Sequence, residues 1–207
     1  MKEIVPFQSL QGAVETLDNG GHFYNFLTTA GDAEVTGAEL AKAAGVFGSG
    51  PDAFLFLEMA LADLEKDEVL EVRGMLSADL AQSGLLHRPL SCLPSKVESI
   101  GEVGSTAVVS GYPRLADRKA ITSMMMFPMY VNGIMFFMTV PLVDQFDIYE
   151  VFDSPKHEGQ RALIAHVRGQ PPLSEERLTF GGYLRERKEE GQVVGLFLEA
   201  RFFSLSK

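Results

Sequence analysis

Apolar residues recur at helical spacing over the first part of this chain and at the two-residue spacing of strands over the rest. Residues 5–17 and 23–27 are predicted as helices joined by a turn at Asp18-Asn19-Gly20-Gly21. The next helix has the clearest start. Thr36 can cap it, Glu39 three residues later closes a capping box, and Val35 can pack on Leu40. It should begin at Gly37 and stop near Gly45. Gly48-Ser49-Gly50-Pro51 then gives a turn and a proline start for a helix running to Leu64. Two prolines interrupt any helix between Gly84 and Pro94, which places a boundary between residues 1–88 and 89–207.

Beyond that boundary the chain turns β-branched and aromatic in short runs, residues 106–110, 148–152, 162–167, 178–184 and 193–203. In the last run Val194, Leu196, Leu198, Ala200 and Phe202 share one face by alternation, and Glu189-Glu190-Gly191 reads as the turn of a closing hairpin. The predicted fold class is α+β: an N-terminal helical module followed by a mainly antiparallel β-barrel or β-sandwich.

Residues 120–143 carry no charge and hold six methionines, bracketed by Lys119 and Asp144. Twenty-four such residues could span a bilayer as a helix, but Pro128 and Asn132-Gly133 stand at the centre. Asn-Gly between apolar runs signals a two-residue hairpin turn. The hairpin pairs Val131 with Ile134, Met129 with Phe136 and Phe127 with Met138 on one face, and Tyr130 with Met135 and Met126 with Thr139 on the other. Both faces are apolar and need a cover. Met124, Met126, Met129, Tyr130, Ile134, Met135, Phe136 and Phe137 are therefore the candidate contacts with a second copy or a protein partner.

The net charge of -10 is uneven. Residues 1–90 hold 14 Asp and Glu against 5 Lys and Arg, and the remainder 14 against 13, so only the second part is a candidate to meet phosphates. The segment 36–46 resembles the first helix and turn of helix-turn-helix and winged-helix domains. That resemblance implies a recognition helix at 53–64 and a wing starting at 68–73. Residues 52–64 contain Asp52, Glu58 and Asp63 and no cation, however, so such a helix would repel DNA. Asp32, Val35 and Glu39 also stand where an EF-hand loop over 28–39 places two ligands and its central apolar residue, while Thr28, Ala30 and Ala33 depart from that pattern. The same acidic pattern is similar to a helical tellurite-resistance family.

The closing segment Glu176-Arg177-Leu178-Thr179-Phe180-Gly181-Gly182-Tyr183-Leu184-Arg185, with residues 194–203, resembles the last two strands of OB-fold proteins of the bacterial single-strand-binding and primosomal type. The resemblance implies bases stacked on Tyr112, Tyr149, Phe180 and Tyr183, with Arg114, Arg168, Arg185 and Arg187 along the backbone. Glu186, Glu189 and Glu190 offset those cations.

No phosphate-binding loop, zinc-protease helix, paired cysteine motif or nucleophile elbow is present. His22, His87, His157 and His166 have no partner at metal-ligand spacing and are expected to be solvated or satisfied, and no metal or cofactor is expected. One cysteine, Cys92, and a start unlike a secretory signal suggest the cytoplasm. The expected function is non-catalytic binding or assembly, with the β-rich part carrying the contacts and the helical part docking. Single-stranded nucleic-acid binding and membrane attachment through 120–143 are the alternatives.

Overall fold

The computed structural model describes residues 1–205 except 24–25, 49, 132–133, 168–170 and 190–191, and gives backbone alone for the rest of 21–28 and of 117–146 and for 167 and 189. Six helices are described, and all precede the long strands.

The capping box forms as read. Thr36 caps α2 (Gly37–Ala44), the Glu39 carboxylate accepts from the Thr36 backbone N–H at 2.8 Å, and Gly45 ends the helix in the left-handed region at φ 67°. Buried Glu39 also accepts from the Gly20 N–H at 2.8 Å and from the Thr36 hydroxyl at 2.8 Å. Those bonds occupy the carboxylate that a calcium loop would need as its last ligand. Helix α1 is shorter than expected (Leu10–Leu17), because Ser9 caps it after Pro6. The predicted helix at 23–27 is replaced by a hairpin of β2 (Asn19–Phe23) and β3 (Phe26–Ala30), closed by the Phe23↔Phe26 pair. Aromatic and Thr-Thr neighbours favour a pleated surface there. Asp18 holds its far end by accepting from the N–H groups of Gly31 and Ala33.

Helix α3 (Pro51–Ala60) buries seven of its ten residues, among them Phe54, Leu55, Phe56, Leu57 and Met59. An all-round apolar helix belongs inside a fold, which removes it as a recognition helix. The expected wing is instead a helix, α4 (Lys66–Gly74), followed by α5 (Ala78–Leu86). Glu58 on α3 pairs with Arg73 on α4 at 2.7 Å.

Five long strands follow the short strand β4 (Leu90–Cys92) and helix α6 (Val97–Ile100): β5 (Thr106–Val131), β6 (Ile134–Phe152), β7 (Arg161–Val167), β8 (Leu178–Glu189) and β9 (Gln192–Leu205). The order of pairing returns to its start. β5 pairs β6, β6 pairs β7, β7 pairs β9 in parallel, β9 pairs β8, and β8 pairs β5. β1 (Lys2–Glu3) adds to β9, and β4 adds to the first residues of β5. Ala107, Val109, Val151, Ile164, Phe180, Leu184 and Leu198 form one buried cluster within this ring.

Met59, Leu55 and Phe54 of α3 form a second cluster with Ile4, Leu17, Leu40, Leu80 and Phe202. Phe202 thus leaves the face it was expected to share with Leu198. The register shifts between Gly181 and Gly182, whose partners are Phe202 and Ala200, so Arg201 is bulged and the alternation flips.

Candidate functional site

Three places in this fold were candidates for function: the arginine and tyrosine surface of the ring, the uncharged hairpin, and the pockets.

Phe180 is fully buried in the ring cluster, and Tyr149 is only 3% exposed, its hydroxyl accepting from the Leu173 N–H at 3.2 Å. Neither can stack on a base, which corrects the expectation for both. Arg114 is exposed beside half-buried Tyr112, pairs with Glu150 at 2.7 Å and lies over the Phe152 ring. Arg185 pairs with Glu199 at 2.8 Å and lies 5.3 Å from the centre of the half-buried Tyr183 ring, with Arg201 over the same ring at 5.7 Å. Burial and a hydrogen bond to Asp52 push the Tyr183 hydroxyl up to about 12. Arg187 is half-buried and donates to the Val194 carbonyl at 3.4 Å, and Arg168 lies outside the described residues. Tyr183 and Arg185 are brought together as expected, but facing carboxylates take up the cations and Asp52 of the helical part takes the tyrosine.

The hairpin register is the one expected, from Thr122↔Val143 to Val131↔Ile134, including Met129↔Phe136 and Met126↔Thr139. Asn132-Gly133 lie outside the described residues, as do the side chains of Met124, Met126, Met129, Tyr130, Ile134, Met135, Phe136 and Phe137. Beyond Phe146, where β7 ends its pairing with β6, the described strand partners of each arm lie in the other arm. Ten successive pairs, 122–131 with 134–143, form a two-stranded ribbon without a charged residue. Since alternate residues of a strand address opposite faces, neither face of this ribbon can hold a charge.

The backbone of the ribbon adds a feature the side-chain pattern does not show. A pair closing a two-residue connection is hydrogen-bonded, and bonded and non-bonded pairs then alternate. Counting from Val131↔Ile134, Pro128↔Phe137 and Met124↔Pro141 are non-bonded pairs. Both prolines therefore turn their nitrogens outward, one on each free edge. They cost the ribbon no ladder bond, and each interrupts the row of donors that another strand could use.

A pocket of about 490 Å³ lies where β7 ends, β8 begins and β9 ends, lined by Met1, Glu3, His166, Pro171, Pro172, Leu173, Ser174, Glu176, Leu178, Phe203 and Leu205. His166 was expected to be solvated or satisfied. It is 2% exposed, and neither ring nitrogen meets a hydrogen-bond partner among the described residues. The Pro171 carbonyl is close enough to favour the protonated ring but not placed to accept from it. Burial, then the cationic terminus at Met1, holds the imidazole below its ordinary pKa. Among the described residues no three His, Cys, Asp or Glu side chains group as metal ligands.

No family model matches this chain, and no curated protein matches it.

Proposed function

We propose that this chain is a non-catalytic assembly protein whose uncharged ribbon contacts a second copy of the same chain. The observation that carries the reading is the ribbon itself: ten charge-free pairs with a proline on each outer edge. The expected OB-type scaffold fits the ring, in which the first long strand is shared by the second and fourth and the third and fifth run parallel. In that architecture the connection between the first two strands is one of the ligand-contacting loops, and here the ribbon is that connection.

Dimensions favour a protein partner. Ten rungs at ~3.4 Å and two strands ~4.8 Å apart give roughly 330 Å² per face. Two ribbons meeting by one face each would bury about 650 Å², short of the ~1,200 Å² of a stable interface; engaging both faces of both ribbons reaches about 1,300 Å². We infer a clasp in which each ribbon lies between the partner's ribbon and the partner's body.

Lipid is a poorer match, because the outward positions of the ribbon leave eight N–H and ten C=O groups unpaired by its own ladder, each costing several kcal/mol in hydrocarbon. No described helix is long and apolar enough to cross a membrane. Nucleic acid is poorer still for the ribbon, which has no cation to follow a phosphate chain. A reducing, cytoplasmic setting completes the reading. Cys92 is free, and burial followed by the charge of Asp153 pushes its thiol up, away from the reactive thiolate.

Light scattering at micromolar concentration tests the proposal. A mass of two or more chains is expected, falling to one chain in a Met129→Asp, Phe136→Asp variant of unchanged circular dichroism. A monomeric native chain overturns it. Flotation of the native chain with anionic vesicles, abolished by the same pair of substitutions, would transfer the ribbon to a membrane instead.

A further inference from the structure

His166 stands on the same side of β7 as Ala162 and Ile164, which lie in the ring cluster, but at the strand's end, where the ring opens into the pocket. Tyr149 packs beside it, ring centres 6.3 Å apart, and ties down the covering segment by accepting from the Leu173 N–H. Asp147 is its cross-strand neighbour. The walls around the imidazole are mainly apolar, from Pro171, Leu173, Leu178 and Phe203, and the charged groups of the lining are the Met1 ammonium and exposed Glu3 and Glu176.

A neutral imidazole has one N–H to donate and one lone pair to accept with, and burying either unmet is costly. Native folds rarely leave both unmet without a use. The pocket is also of the size and character of small-molecule sites, which are apolar with a few convergent polar groups and occur at barrel mouths.

We infer that this pocket binds a small molecule with an apolar body and an uncharged or cationic hydrogen-bonding head, the head meeting His166. A hydroxyl suits the neutral imidazole because it can donate to the bare nitrogen or accept from the N–H, whichever faces the pocket. An amine donates to the lone pair. Glu3 and Glu176 outnumber the Met1 ammonium, whose pKa burial and then Arg201 lower, so the net charge of the lining disfavours a carboxylate. None of the pocket's lining residues belongs to the ribbon's ten pairs.

Three probes with one body and different heads test this: 2-phenylethanol, phenethylamine and phenylacetate. Titrated into the full chain, the first two are expected to shift the His166 imidazole proton resonances saturably. Phenylacetate should bind at least tenfold more weakly. His166→Phe, which fills the space without offering nitrogens, should lose the alcohol and amine. Glu176→Gln, at an exposed position, should narrow the gap between amine and carboxylate by several fold whether or not the phenylalanine variant folds. Saturable binding of all three with equal affinity overturns the inference, as does no movement of the His166 resonances with either the alcohol or the amine.

Discussion

At the scale of single residues, buried polar groups do opposite things in the two parts of the chain. Glu39 is met by three donors, two on the capping Thr36 and one on Gly20 of β2, whereas His166 has none among the described residues. Glu39→Ala should lower stability by at least ~2 kcal/mol in urea denaturation, because buried donors left unmet cost roughly 1–3 kcal/mol each. His166 sets a pH dependence of known sign. Its folded pKa lies below the ordinary value of 6.5, so its stabilising contribution is present above pH 6.5 and fades as pH falls toward and through the folded value. The melting temperature should therefore drop on acidification from pH 6.5 to 5, and drop less in His166→Phe. Equal slopes for the two proteins would count against this assignment. Tyr183 acts at the other end of the scale. Its raised pKa makes its contribution complete below pH 10 and lost as pH passes about 12, a loss that Tyr183→Phe should remove. The cap on Glu39 was legible because its two members stand three residues apart. His166 was not, because its burial comes from residues 171–174 folding over the end of the ring.

At the scale of elements, the alternation of β-branched and aromatic residues located all five long strands, and Asn-Gly located the ribbon and its register. The failures have physical causes. At 23–27 the apolar spacing fits a helix or two strand arms equally well, and pairing across residues 19–30 decided between them. At Phe202 a single bulged residue exchanged the two faces, which no strict period of two can anticipate. That bulge also explains the adjacent glycines. A side chain on Gly182 would run into the Glu199 backbone carbonyl, and one on Gly181 would meet Met59 of α3. Gly182→Ala should cost about 1–3 kcal/mol, the range for overpacking a site that cannot give way. The edge prolines make a different prediction. Replacing Pro128 and Pro141 by Val restores an unbroken row of donors on each edge, and the double variant should form thioflavin-positive aggregates faster than the native chain.

For the whole molecule, the two clusters of buried side chains do not divide at residue 88, since Phe202 joins the one built on α3, and the ring is not indifferent to what precedes it. Helix α3 seats Met59 and Leu55 against Gly181, Asp52 bonds to Tyr183, and β1 joins β9. Such contacts between segments far apart in the chain were invisible in local patterns. They also account in part for the tyrosine and arginine surface reading better in sequence than in space. Tyr183 is taken by Asp52, far back in the chain, whereas the partner of Arg185 is Glu199 on the neighbouring strand β9.

The pairing of Lys2 and Glu3 with Phe202 and Phe203 has a consequence in time. Ile4 and Phe202 belong to one cluster, so the core begun by the first strand waits until Phe202 has been made. At about 5–20 residues per second, roughly 10–40 s of synthesis separate the two. Throughout that interval the apolar face of α3 and its neighbours has no strand to lie on, and the nascent chain is a natural client for chaperones that hold such surfaces until the final strand arrives.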